Sequence, residues 1–325
     1  MVVIQIQGGL GNQMFQYALG LQLQKMGRSV RFDYASYDAA GDPAKRFYLP
    51  VFGINCEQAG EAELRKLGQG RSFLSRIGNK LGLSGKRGSV RTAAAQNVQE
   101  GPESRGRSMD LSDRAGDGDT GGLCRIGGRY EEDLSAGFHP EIFDMEDVYL
   151  SGYWQSERYF AAIREEVADA FRFPDRLDPA AAKLRDQISS RNAVSVHIRR
   201  GDYLALPHVY GGICTQSYYQ KAMEEMRNRM ENPVFFVFSD DPEWVKENRS
   251  GDDVVAVDGR APEDAWMDMY LMTQCRANII ANSSFSWWGA WLNPGKDKIV
   301  LSPARWFANH EAHEAICRDW ITIEG

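Results

Sequence analysis

Val194-Ser195-Val196-His197-Ile198-Arg199-Arg200-Gly201-Asp202-Tyr203 is a β-branched apolar run that ends abruptly in charge. A continuous apolar run of this length suits a strand covered on both faces, as in a parallel sheet flanked by helices. The pattern recurs along the chain. Candidate strands are 2–6, 30–33, 148–152, 193–198, 234–239, 254–257, 278–281 and 299–301. Amphipathic candidate helices lie between them, over 12–26, 156–171, 179–189, 217–230 and 265–276. Alternation of this kind predicts an α/β protein with mostly parallel sheets.

The chain has 325 residues, enough for two domains. The stretch Pro174-Asp175-Arg176-Leu177-Asp178-Pro179 is the expected junction. It is expected to divide an N-terminal α/β domain (1–178) from a C-terminal one (179–325). Residues 84–122 are rich in Gly, Ser, Ala, Arg, Asp and Gln, with few large apolar side chains. They are expected to form a mobile surface insertion.

A net charge of −7 does not suit a general binder of nucleic acid. No run of 18 apolar residues exists, so no membrane span is expected. The start, MVVIQIQGGLGNQ, has neither the basic onset nor the long apolar core of a signal peptide. Five scattered cysteines without metal-type spacing read as reduced thiols of a cytoplasmic protein.

Four segments carry chemistry. Gly8-Gly9-Leu10-Gly11-Asn12-Gln13 follows the first strand and opens a helix. Glycines there allow close backbone approach, and a helix start offers N–H groups to an anion. Asn12 and Gln13 add neutral donors; the same turn also reads as purely structural, with Asn12 as the helix cap. At the end of the 193–198 strand, His197 and Arg199 share one face. Arg199 and Arg200 suit a diphosphate, because each guanidinium forks onto phosphate oxygens. Asp202 could orient an arginine or act as a base. After 234–239 come Ser239, Asp240 and Asp241, then Pro242. Asp241 reads as a helix cap rather than a metal ligand. Finally Asn282-Ser283-Ser284-Phe285 turns into a helix carrying Trp287, Trp288 and Trp291. Its start is a second anion seat, and its tryptophans read mainly as core. Two such seats with an arginine pair imply a nucleoside-diphosphate sugar held without a metal or other cofactor.

The segments GGLGNQMFQYA, YLSGYWQSERYF, VSVHIRRGDY, FFVFSDD and NIIANSSFSWWGAWLN together resemble glycosyltransferase family 11, the α-1,2-fucosyltransferases. The resemblance implies a GT-B-like fold, with two Rossmann-like domains facing each other across a cleft, 1–178 on the acceptor side and 179–325 binding the nucleotide sugar. It implies GDP-β-L-fucose as donor, without metal, and inverting transfer to the 2-hydroxyl of a terminal β-galactoside. The acceptor would be an oligosaccharide, lipid-linked at the inner membrane surface or soluble. By the same resemblance Arg199 holds the β-phosphate and His197 lines the nucleotide site. Asp268 accepts from the guanine edge, while Ser283, Ser284 and Phe285 cradle the phosphates. Asn12 faces them across the cleft, and Arg200 lies nearby. For the base that takes the acceptor proton, His208 is the first candidate by position and Asp202 the second. Alternatives are another GDP-sugar, another acceptor linkage, or a non-catalytic nucleotide-sugar binder.

Overall fold

The computed structural model describes residues 1–38, 46–69, 123–126, 129–132, 137–201, 203, 211–248, 251–308 and 314–325. The first sheet contains β1 (Val2–Gln5), β2 (Val30–Asp33), β3 (Leu123–Ile126), β4 (Arg129–Glu132) and β5 (Val148–Ser151). Its order is β2-β1-β5-β4-β3, parallel except where β3 meets β4. The second contains β6 (Ala193–Ile198), β7 (Val234–Ser239), β8 (Val254–Ala256), β9 (Ala277–Ile279), β10 (Ile299–Pro303) and β11 (Ile321–Ile323). Its order is β11-β10-β9-β6-β7-β8, parallel throughout.

Helices fill the crossovers: α1 (Leu10–Lys25), α2 (Ala35–Asp38), α3 (Glu61–Lys66), α4 (Arg164–Ala170) and α5 (Pro179–Ser189), then α6 (Gln216–Arg229), α7 (Pro242–Asn248), α8 (Ala265–Thr273) and α9 (Ser284–Trp291). The α/β class with two Rossmann-like sheets, expected above, is the observed architecture.

The order of the second sheet locates its ligand crevice. From β6 the chain winds outward through β7 and β8, then returns to β9 and winds the other way. The order reverses between β6 and β9. In an open parallel sheet, loops leaving such a pair diverge to opposite faces and leave a crevice at the strands' carboxyl ends.

Strand periodicity assigns the faces. Val194, Val196 and Ile198 of β6, with Phe235 and Val237 of β7, pack with Tyr218, Ala222 and Met226 of α6. Phe236 and Phe238 point the other way, into a core shared with Met272 of α8 and Trp287 and Trp288 of α9. His197 lies on that second face, its ring 5.5 Å from Phe285. All six residues of β6 are buried, as its apolar run requires.

Some boundaries differ from expectation. The first helix begins at Leu10 with Gly9 as its cap, so Asn12 is not the cap but lies in the first turn. The helix expected over 156–171 is broken into short 3-10 turns before α4. Phe160 leaves the helical conformation and stacks on Trp288 at 5.5 Å. Tertiary packing there overrides a favourable helical pattern. Strands β3, β4 and β11 were not expected; β4 reads Arg-Tyr-Glu-Glu and carries no apolar alternation. The expected insertion at 84–122 lies outside the described residues. Among the described residues no helix is long and apolar enough to cross a membrane. Cys56, Cys214, Cys275 and Cys317 are free.

Candidate functional site

Three chain segments meet at the open end of the second sheet. The first is the start of α1. Gly8 adopts φ +77, a left-handed conformation that favours glycine. Gly8 and Gly9 are exposed, and no side chain caps the helix. Gln13 does not serve as a ligand donor. It is fully buried, donates to the carbonyls of Gly8 (2.9 Å) and Arg46 (2.8 Å), and accepts from the Tyr48 amide (2.8 Å). It fixes the glycine turn instead. Asn12 is half-buried, and its Oδ1 accepts from Gln155 Nε2 at 2.8 Å.

The second segment is the end of β6. Arg199 pairs with Asp240 at 3.0 Å and remains about one-third exposed. Asp240 also accepts from the amides of Arg200 (2.9 Å) and Gly201 (3.0 Å). One carboxylate therefore shapes the turn and steadies the guanidinium beside the crevice. Arg200 is directed elsewhere. Its Nε donates to Asp241 (3.1 Å), and its guanidinium lies 4.0 Å from the centre of the Trp244 ring. Asp241 caps α7 by accepting from the Trp244 amide at 3.2 Å, the capping role expected of it. Ser239 accepts from the Asp241 amide at 3.0 Å, so its oxygen serves this turn.

His197 is almost fully buried, and its Nδ1 has no hydrogen-bond partner. Burial, then the nearby charge of Arg199, push its pKa down to about 3. The ring is neutral throughout the physiological range.

The third segment is the start of α9. Ser283 caps it, its Oγ accepting from the Phe285 amide at 3.4 Å. Ser284 and Phe285 form the half-buried first turn. Trp287, Trp288 and Trp291 are all buried core. The far end of α9 is closed by Lys298, whose ammonium donates to the carbonyls of Ala290, Trp291 and Asn293 at 2.7–3.0 Å. A cation at the carboxyl end complements the helix dipole.

The starts of α1 and α9 touch. A Cβ placed on Gly11 would lie 2.5 Å from the carbonyl carbon of Ser284. Trp288 Nε1 donates to the Gly11 carbonyl at 3.0 Å. A polar chain runs alongside: Asn12 to Gln155, Gln155 Oε1 to Trp306 Nε1 (2.8 Å), and the Trp306 carbonyl to Asn282 Nδ2 (3.0 Å). The carboxyl ends of β1, β6 and β9 are thus drawn together. Asn12, His197, Arg199, Ser283, Ser284 and Phe285 gather around them, beside two helix starts that are in contact. That arrangement is chemically suited to an anion with several oxygens.

Asp268 lies in the first turn of α8, which packs along α9. It forms a close ion pair with Arg260. Burial pushes its pKa up to about 6, opposed by Arg260 and reinforced by Asp178. His208 and Asp202 lie outside the described residues.

Sequence reasoning missed Gln155, Trp306 and Arg260. Gln155 sits inside the quoted Tyr149–Phe160 segment, so a signal was present. Arg260 and Trp306 carry no local pattern. Among the described residues, Glu157, Cys317 and Asp319 present ligand atoms within 4.8 Å of one another. Glu157 there is engaged by Arg164 (2.9 Å) and Trp291 (3.3 Å).

An Escherichia coli protein named alpha-1,2-colitosyltransferase is 40% identical over 186 residues, covering 54% of this chain and 63% of its own. The human galactoside alpha-(1,2)-fucosyltransferase 1 is 36% identical over 176 residues, covering 50% of this chain and 48% of its own. The matches span between about half and just under two-thirds of these relatives' lengths. A crystal structure of NodZ alpha-1,6-fucosyltransferase soaked with GDP-fucose aligns over 90% of this chain and 92% of its own, at 14% identity and a TM-score of 0.42. That likeness is too distant to transfer residues. Residues 141–324, more than half of the chain, match the sequence profile of glycosyl transferase family 11. They hold all of β6–β11 and the turn that carries Arg199 and Arg200, and on that match the chain belongs to glycosyltransferase family 11.

Proposed function

We propose that this protein transfers L-fucose from GDP-β-L-fucose to the 2-hydroxyl of a terminal β-galactoside. The observation that carries the reading is the convergence of Arg199, the α9 start and the α1 start at the crevice between β6 and β9. The diphosphate sits against these groups. Arg199 and the two helix starts neutralise the charge that grows on the β-phosphate as the glycosidic bond breaks. Neutral His197 lines the site without adding charge. Asp268 accepts from the guanine edge, while Asn12 faces the sugar from the first half. Arg200 acts indirectly, by bracing the turn through Asp241 and Trp244.

Displacement proceeds with inversion, and the acceptor proton passes to a base as the new bond forms. His208 is the proposed base, with Asp202 second. Donor binding needs no metal, because two helix starts and a guanidinium supply the positive field. Asp240 and Asp241 are already engaged by Arg199 and Arg200. The acceptor is a galactose-containing oligosaccharide, and the proposed setting is the cytoplasm. One observation favours a second reading: the 40%-identical relative is named a colitosyltransferase, so colitose is the alternative sugar.

Calorimetry in EDTA with GDP, GDP-fucose, UDP and NAD tests the donor reading. Preferential binding of the two guanosine compounds is expected. Failure of a folded chain to bind GDP would overturn it. Transfer assays with GDP-fucose and GDP-colitose on β-galactosides then separate the two sugars.

A further inference from the structure

Arg260 stands between two carboxylates from different parts of the chain. Its guanidinium pairs with Asp268 of α8 on one side. On the other, its Nε lies 3.7 Å from Asp178, the residue that caps α5 by accepting from the Ala181 amide at 2.6 Å. Arg260 is 10% exposed and Asp268 16%, so the pair is largely withdrawn from water. Trp266 and Met267 of α8, next to Asp268 in sequence, are buried, and Phe173, just before the junction, stacks near Trp266 at 6.5 Å.

Resting on the reading of Asp268 as the guanine acceptor, we propose that Arg260 is a positioning residue for nucleobase recognition: it keeps Asp268 a carboxylate and aims it. The guanine edge presents two donors, N1–H and the 2-amino group. An ionised carboxylate answers with two acceptors. A protonated carboxyl presents a donor of its own and mismatches that edge. A carboxyl this deep in apolar surroundings tends toward the protonated form, and burial already outweighs Arg260 in setting its balance.

The charges around Asp268 leave Arg260 as its counter-ion. Asp178 opposes ionisation. Glu263, just before α8, is turned to Arg46 at 3.7 Å. Asp264 is the residue before α8 and adds only negative charge. Arg185 of α5 is engaged by Asp186 and Tyr270. The helix α9 brings no ionisable side chain. Asp178 in turn fixes Arg260, so the aim of Asp268 is set from the start of α5.

The test is GDP binding by calorimetry between pH 5.5 and 8.5, with wild type, Arg260→Met, Arg260→Lys and Asp268→Asn. Inosine diphosphate, which lacks the 2-amino group, serves as control. Wild-type affinity for GDP should hold above pH 7 and fall below pH 6. Arg260→Met should bind at least tenfold more weakly at pH 6.5 and recover to within about threefold at pH 8.5. Arg260→Lys keeps the charge without the fork, so its break should fall between the two; it carries the test should the Met variant not fold. The GDP preference over inosine diphosphate should follow the same profiles. An equal loss at every pH in the arginine variants, or no loss, would overturn the positioning role. Wild-type GDP affinity in Asp268→Asn would instead overturn the guanine assignment itself.

Discussion

Gly11 and Ser284 come from opposite ends of the chain, and their backbones touch. A Cβ on Gly11 would fall 2.5 Å from the Ser284 carbonyl carbon and 2.7 Å from the Phe285 nitrogen. Neither obstacle is a movable side chain. Gly11→Ala should therefore separate the two helix starts, destabilising the protein by about 1–3 kcal/mol. It should also weaken GDP binding, because both anion seats shift. Urea unfolding and calorimetry on the same variant check the two effects. A variant with unchanged stability and affinity would show that the helices can slide apart freely.

Trp288 holds the same joint from inside. Its indole donates to the Gly11 carbonyl, and its ring stacks on Phe160 and lies 4.9 Å from Phe15. Trp288→Phe keeps a ring but loses the indole hydrogen bond to the Gly11 carbonyl, with a loss of about 0.5–1.5 kcal/mol. Trp288→Ala should lose about 3–5 kcal/mol through the cavity it opens. Equal losses in the two variants, measured by denaturant unfolding, would remove the ring from the account.

The adjacent arginines should separate cleanly. Arg199→Ala should abolish transfer with little change in stability, because Asp240 still accepts from two backbone amides. Arg200→Ala should lower stability by about 1–2 kcal/mol, through the lost contact with Trp244 and the half-exposed pair with Asp241. It should retain measurable transfer. Kinetics and thermal unfolding of both variants decide between these roles.

His197 makes stability depend on pH. Its native pKa of about 3 lies well below the ordinary 6.5, so the native state binds its proton more weakly than the unfolded chain. The stabilisation is complete above about pH 6.5 and is lost as pH falls toward 3. His197→Phe should flatten the acid limb of the stability curve between those limits. Urea midpoints at pH 4, 5, 6 and 7 test this; parallel curves for wild type and variant would refute it.

The inner strands of the second sheet were legible in the sequence because they are buried on both faces, whereas the half-exposed edge strand β11 was not anticipated. Their apolar runs end where polar residues begin, so β6 and β7 were read to the residue. The first sheet was less legible. Strand β4 is Arg-Tyr-Glu-Glu, and Glu132 at its end accepts from the amides of Tyr153 (2.6 Å) and Trp154 (3.0 Å). Its placement depends on a backbone turn twenty residues away, which no local pattern encodes. The arginine pair showed the same limit. Sequence spacing treated Arg199 and Arg200 alike, whereas Asp240 and Asp241 sort one to the crevice and the other to a helix cap. Gln13 looked like a ligand donor because polar residues at a glycine turn often are; three backbone hydrogen bonds claim it instead.

The joint between α1 and α9 limits how this protein could be recombined. A different first half grafted onto the second sheet would need more than a compatible surface charge. It would have to present a first helical turn without a Cβ opposite Ser284, a carbonyl for Trp288, and a ring where Phe15 meets Trp287 at 4.5 Å. Chimaeras that respect those three points should assemble. Those that break any one should fail at the seam rather than in either sheet.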